Sequence, residues 1–218
     1  MRVSARFRGP PGSANGGVVC GRLAGYVGAP AVEVTLRHPP PLDVDLRVDA
    51  SAGSARLHFG ELLVAEAVPS QVDLVPAEPV SIEQAAATTF AGWTAHPFPG
   101  CFVCGIDREP PDGLGLRPGP VGRGRVATVW RPADEDPSMV WAALDCPGGW
   151  SADVPGRPIV LGRMALERHG RVAPGEPHVV VGWTTGREGR KTFTGTALYD
   201  AVGTLLAVAR STWLTLPG

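Results

Sequence analysis

Asp145, Asn15 and two glycine pairs are the residues of this chain whose types and spacing could do chemistry. Ser13-Ala14-Asn15-Gly16-Gly17-Val18 and Asp145-Cys146-Pro147-Gly148-Gly149-Trp150 share one plan: a polar residue, a structure breaker, then Gly-Gly at what reads as a helix start. A helix start exposes backbone N–H groups and the positive end of the macrodipole. Glycines there let a carbonyl oxygen approach. The Gly16-Gly17 and Gly148-Gly149 amides are therefore candidate oxyanion donors, with Gly17 and Gly149 taken as site residues. A carboxylate beside them can act as general base or nucleophile. Asp145 is placed for this immediately before the second helix, whereas its counterpart Ser13 cannot be a base. The chemistry then rests on the second copy. A plainer reading stands beside this one. Asp near Pro is a common helix cap, and a capping carboxylate has a lowered pKa, which makes it a poorer base. Asn15 either orients a substrate or caps its helix.

Cys101 and Cys104 form a Cys-x2-Cys pair, with His96 five residues before Cys101. Such a pair holds zinc only if two more ligands arrive. No second pair exists in the sequence, so Cys20, Cys146 or a distant His would have to complete the site. The reading adopted is a reduced structural pair with no metal and no cofactor, while zinc and a disulfide or redox pair stay open beside it. Cys20 and Cys146 read as small buried apolar residues.

These groups need elements to hold them, and the chain writes those elements twice. His38 ends one strand pattern and His169 another, at similar distances after each glycine pair. Both histidines read as structural. Gly60-Glu61-Leu62-Leu63 and Gly203-Thr204-Leu205-Leu206 close the two copies. In the first copy, Arg2–Arg8 alternates as a strand and Ser13 is the expected N-cap. Val19, Leu23, Tyr26 and Val27 then recur at helical spacing. Gly17, Gly21 and Gly25 make a stripe on another face of that helix. Each glycine costs a helix about 1 kcal/mol relative to alanine, so the stripe implies close packing against a sheet or a ligand. Strands are expected over Ala31–Arg37 and Leu42–Val48, and a hairpin over Ser54–Phe59 and Glu61–Val68 around Gly60.

A Pro/Gly-rich linker over 91–124 follows, preceded by a short helix within Ser81–Phe90. In the second copy, Arg125–Trp130 is a strand and Pro137–Leu144 a helical lead-in. Asp145-Cys146-Pro147 restarts the chain as a helix, which Pro155–Pro158 ends. Strands then cover Ile159–Arg168, His178–Thr185, Lys191–Tyr199 and Leu205–Leu216. The division is 1–90, 91–124 and 125–218, in an α+β class of two β-α-β-β-β-β repeats.

Composition fits this. Of 218 residues 44% are apolar, enough to build a core. Net charge is −1 with no basic stripe, which argues against nucleic acid as a partner. No apolar run approaches the roughly 20 residues of a membrane span. No signal peptide is read, so a cytoplasmic location is the expectation.

One helix cradled by an antiparallel sheet, with Asn15-Gly16-Gly17 at its start, resembles the hot-dog fold. Two copies in one chain resemble the double hot-dog acyl-CoA thioesterases. Asn15-Gly16-Gly17 is similar to the signature of their first copy, and Gly189–Ala209 resembles their closing hairpin. Cys101–Gly105 with Trp141–Gly149 resembles uncharacterised bacterial thioesterase-like proteins. The resemblance implies hydrolysis of acyl-CoA or other acyl thioesters, with Asp145 as base or nucleophile. Thr192 and Thr194 on a late strand would then be polar partners. Arg187, Arg190 and Lys191 at a hairpin tip could grip the phosphates of coenzyme A, or form a solvated turn. Trp93, Trp130, Trp141, Trp150 and Trp183 either line an acyl slot or fill the core. A hydratase reading fails, because the His required five residues after the Asp is Trp150. Two rivals stay open: a non-catalytic acyl or acyl-CoA binding protein, and a scaffold. Such units can also associate as homo-oligomers.

Overall fold

The computed structural model describes residues 1–108, 112–152 and 158–217. Ten strands form one antiparallel sheet in the order β2-β3-β4-β1-β7-β10-β9-β8-β6-β5. The front of the chain supplies β1 (Ala31–Leu36), β2 (Arg47–Ser51), β3 (Ser54–Phe59) and β4 (Leu62–Pro69). The rear supplies β5 (Gly119–Pro120), β6 (Arg125–Trp130), β7 (Ile159–Arg168), β8 (His178–Glu188), β9 (Lys191–Tyr199) and β10 (Leu205–Thr215). The halves join where β1 pairs with β7, in a register that sets Val34 opposite Met164. Both of these side chains are fully buried. Burying a side chain of this kind contributes about 1.5–3 kcal/mol.

Helix α1 (Gly16–Ala24) packs on the front strands and β7, while α3 (Pro137–Ser151) packs on β6–β10. A short α2 (Ile82–Ala86) carries a Ser81/Gln84 capping box. Three local expectations are corrected. Arg2–Arg8 is not a strand: a 3-10 turn covers Ala5–Phe7, flanked by single bridges at Arg2 and Arg8. Ser13 is not the cap of α1. Asn15 is, accepting from the Val18 amide at 3.0 Å. Asp145 does not start the second helix. The Asp-Pro start signal belongs to Asp136-Pro137, where Asp136 accepts from the Ser138 amide at 2.8 Å. The helix then runs through Asp145 and Pro147 without restarting and ends at Ser151. Of the expected stop at Pro155–Pro158, residues 155–157 lie outside the described residues.

The glycine stripe of α1 meets a helix, not a sheet or ligand. A Cβ on Gly17 would stand 2.7 Å from the Trp141 carbonyl oxygen and 2.7 Å from the Asp145 Cβ. One on Gly21 would stand 2.6 Å from the Ser138 Cα. Gly25 is different: a Cβ there meets nothing nearer than the Arg22 carbonyl at 3.4 Å. The two helices therefore cross backbone to backbone at Gly17 and Gly21 alone. Gly21→Ala should lower stability in urea unfolding by about 1–3 kcal/mol, against the helix propensity that favours alanine. Gly25→Ala should be neutral or mildly stabilising in the same measurement.

Candidate active site

The crossing decides where Asp145 points. From the middle of α3, its carboxylate reaches across to the N-terminus of α1. Oδ2 accepts the Gly17 amide at 3.0 Å and the Asn15 Nδ2 at 2.9 Å. Asp145 thus caps the other helix, not its own. Asn15 does both jobs open to it: its Oδ1 caps α1 and its Nδ2 holds Asp145. Asp145 and Asn15 are each 3% exposed. Oδ1 of Asp145 is buried without a hydrogen-bond partner. In the first turn of α1, the Gly16 N–H is likewise unpaired among the described residues, while the Gly17 and Val18 amides are spent.

Burial raises the Asp145 pKa from 3.8 to about 7. The Gly17 amide and the Asn15 side chain pull it down, and the nearby Cys101 pushes it up. Desolvation outweighs the two hydrogen bonds. The expected lowered pKa of a capping Asp is therefore reversed, because this cap is buried.

Asp145 lies in the wall of a cavity of about 400 Å³. The start of α1 forms one side with Asn15 and Gly16, and the end of β1 forms the rim with Arg37 and His38. Leu161 and Ile159 of β7, Trp213 of β10 and Trp150 of α3 supply its apolar surface. His96, Phe98, Cys101 and Cys104 close it from the linker.

The structure brings together Asp145, Asn15 and Gly17, places Gly149 in the wall of the same cavity, and separates the rest. The Gly148 and Gly149 amides cannot serve as helix-start donors, since both lie inside α3. Those glycines are small for packing: a Cβ on Gly148 would meet Thr194 Oγ1 at 2.8 Å, and one on Gly149 the Trp213 ring at 3.0 Å. Thr194 is not a cavity residue; its hydroxyl accepts from Trp213 Nε1 at 2.9 Å. Thr192 is buried on the same strand, also outside the cavity wall. At the β8–β9 hairpin, Arg187 donates to the Ala152 carbonyl at 3.1 Å and Arg190 to the Thr215 carbonyl at 3.2 Å. Neither they nor the exposed Lys191 line the cavity. His169 pairs loosely with Glu167, at 3.8 Å. Of the five tryptophans singled out, only Trp150 reaches the cavity; Trp93 is largely exposed.

Trp213 is a cavity residue that the sequence does not announce, whereas Gly16 is one of the expected amide donors and Cys146 one of the expected partners of the Cys-x2-Cys pair. Cys146 follows Asp145 directly, so a continuous helix would have placed it beside the same cavity.

No protein-family model matches the chain, and a comparison with curated proteins finds no relative. Solved structures do match. All of this chain and 92% of a conserved protein of unknown function with a hot dog fold, from Alicyclobacillus acidocaldarius, superpose with TM-score 0.63 at 12% identity. With its two helix-and-sheet copies, this chain has a double hot-dog fold. The tesB protein of Mycobacterium avium subspecies paratuberculosis matches all of this double hot-dog chain over 91% of its own length, with TM-score 0.64 and 13% identity. An acyl-CoA thioesterase II from Mycobacterium marinum matches 86% of this chain over 80% of its own, with TM-score 0.56 and 10% identity. No helix among the described residues of the double hot-dog chain is long and apolar enough to cross a membrane.

The raised carboxyl pKa has a stability consequence. The unfolded chain loses the Asp145 proton first as pH rises from 3.8, so stability falls up to about 7 and the loss stays constant above that. Asp145→Asn should remove this pH dependence. Against wild type it should gain roughly 2–4 kcal/mol at pH 8 relative to its difference at pH 4. Chemical denaturation at a series of pH values checks this.

Proposed function

We propose that the chain hydrolyses acyl thioesters, acyl-CoA among them, in the cavity beside Asp145. The observation that carries this is the unpartnered Asp145 Oδ1, buried in the wall of an apolar cavity at the N-terminus of α1. The structural likeness to the acyl-CoA thioesterase II supports it through the shared fold.

The acyl chain lies against Leu161, Ile159 and Trp213, and the thioester carbonyl faces the α1 N-terminus. The Gly16 N–H and the positive end of the helix take the charge that develops on the carbonyl oxygen. Gly17 and Asn15 hold Asp145 in place through Oδ2. Asp145 Oδ1, when ionised, accepts a proton from a water as that water attacks the carbonyl carbon. The tetrahedral intermediate then expels the thiolate, which takes the proton back from Asp145. The products are a carboxylic acid and a thiol. A pKa of about 7 suits a group that must accept and return a proton near neutrality. The basic hairpin tip is left out of this scheme; the rim residues Arg37 and His38 are nearer candidates for the polar end of a carrier such as coenzyme A.

The test is hydrolysis of an acyl-CoA panel by wild type and Asp145→Asn. The variant should lose at least about 100-fold in kcat. In wild type, kcat/KM should rise about tenfold per pH unit below the Asp145 pKa and flatten above it. No turnover with any panel member, or full rate in Asp145→Asn, removes the reading. Thermal stabilisation by acyl-CoA without turnover would replace it with a binding protein.

A further inference from the structure

Among the described residues, Cys101, Cys104 and Cys146 form a buried reactive cluster that the proposed hydrolysis does not use. Their Sγ atoms all lie within 4.8 Å of one another, and Cys101 Sγ stands 3.7 Å from Cys146 Sγ. None is in a disulfide. A tetrahedral zinc with bonds of about 2.3 Å to sulfur sets its sulfurs about 3.8 Å apart. The Cys101–Cys146 pair already has that spacing, and the Cys104 sulfur lies within 4.8 Å of both.

A polar donor and a fixed turn surround the cluster. Asn15 Nδ2 points at Cys101 Sγ at 3.9 Å. The turn that carries the pair is held rigid. Gly105 N donates to the Cys101 carbonyl at 2.8 Å, and a Cβ on Gly105 would collide with that oxygen and with the Pro99 carbonyl. Arg117 donates to the Cys104 and Gly105 carbonyls at 3.0 and 3.1 Å. Three thiolates, one divalent ion and one arginine sum to zero charge, so a filled site leaves little net charge in this buried place.

We propose that Cys101, Cys104 and Cys146 bind one zinc ion as thiolates. Among the described residues, no other His, Cys, Asp or Glu belongs to the cluster. All three cysteines line the cavity, so the fourth position opens to it and takes water or a soft ligand. The ion ties the irregular linker to α3. It is bound beside Asp145, and its binding stands independently of the hydrolysis reading.

The test is metal analysis of the full chain, expressed in zinc-supplemented medium and purified without chelators. About one zinc per chain is expected, with each of Cys101→Ser, Cys104→Ser and Cys146→Ser losing about tenfold in content. Cys20→Ser, at a buried cysteine outside the cluster, should keep it. Because a serine variant can fail to fold, the wild-type chain is also stripped of metal and titrated with cobalt(II). Thiolate-to-cobalt charge transfer and the strong visible bands of a tetrahedral ion are expected. Folded wild type with less than about 0.1 zinc per chain and no charge-transfer band overturns the site. So does a Cys101–Cys146 disulfide in the purified protein.

Discussion

Everything at the centre of this molecule depends on two helices touching through their backbones. Helices that pack through ordinary side chains keep their axes about 8–10 Å apart. At Gly17 and Gly21 no side chain intervenes, and α1 lies directly on α3. That contact brings a carboxylate from one copy to the helix start of the other. Neither copy holds the site alone: Asn15, Gly16 and Gly17 come from the front, Asp145 and the β7 and β10 walls from the rear.

Close approach also sets the electrostatics. A carboxylate on a helix N-terminus in water would be a good cap with a low pKa. Here the same hydrogen bonds are made by a buried carboxyl, and the energy of desolvating its charge exceeds what two donors return. The site thereby keeps a group whose charge is easily lost, at a cost in stability that the surrounding core absorbs.

Much of the fold was legible. The β3–β4 hairpin, β1, β6, β7 and β9 follow alternation or turn signals that depend only on neighbours in sequence. The misreadings of the second helix share one cause, the burial of α3 on nearly all its faces. Twelve of its fifteen residues are buried, so no polar stripe marks it as a helix. Pro147 then looked like a start, although the chain has a true one at Asp136-Pro137. A proline inside a helix removes one hydrogen bond and is tolerated where tight packing holds the backbone. Here β8 presses on that turn: a Cβ on Gly182 would strike the Pro147 carbonyl. With the helix start at Asp136-Pro137, Asp145 and Asn15 still meet, Gly149 reaches the cavity as a wall residue inside α3 and not as a helix-start donor, and Thr194 lies outside the cavity wall. The Asp145–Asn15 pair spans 130 positions, and nothing local in the sequence announces it.

The β1–β7 seam has a thermodynamic meaning of its own. The ladder from Ala31 to Thr35 welds the sheets of the two copies into one hydrogen-bonded surface, directly behind the crossing helices. To pull the copies apart, both this ladder and the glycine contact must break together. The chain should therefore melt as a single cooperative unit, with no half-molecule surviving on its own.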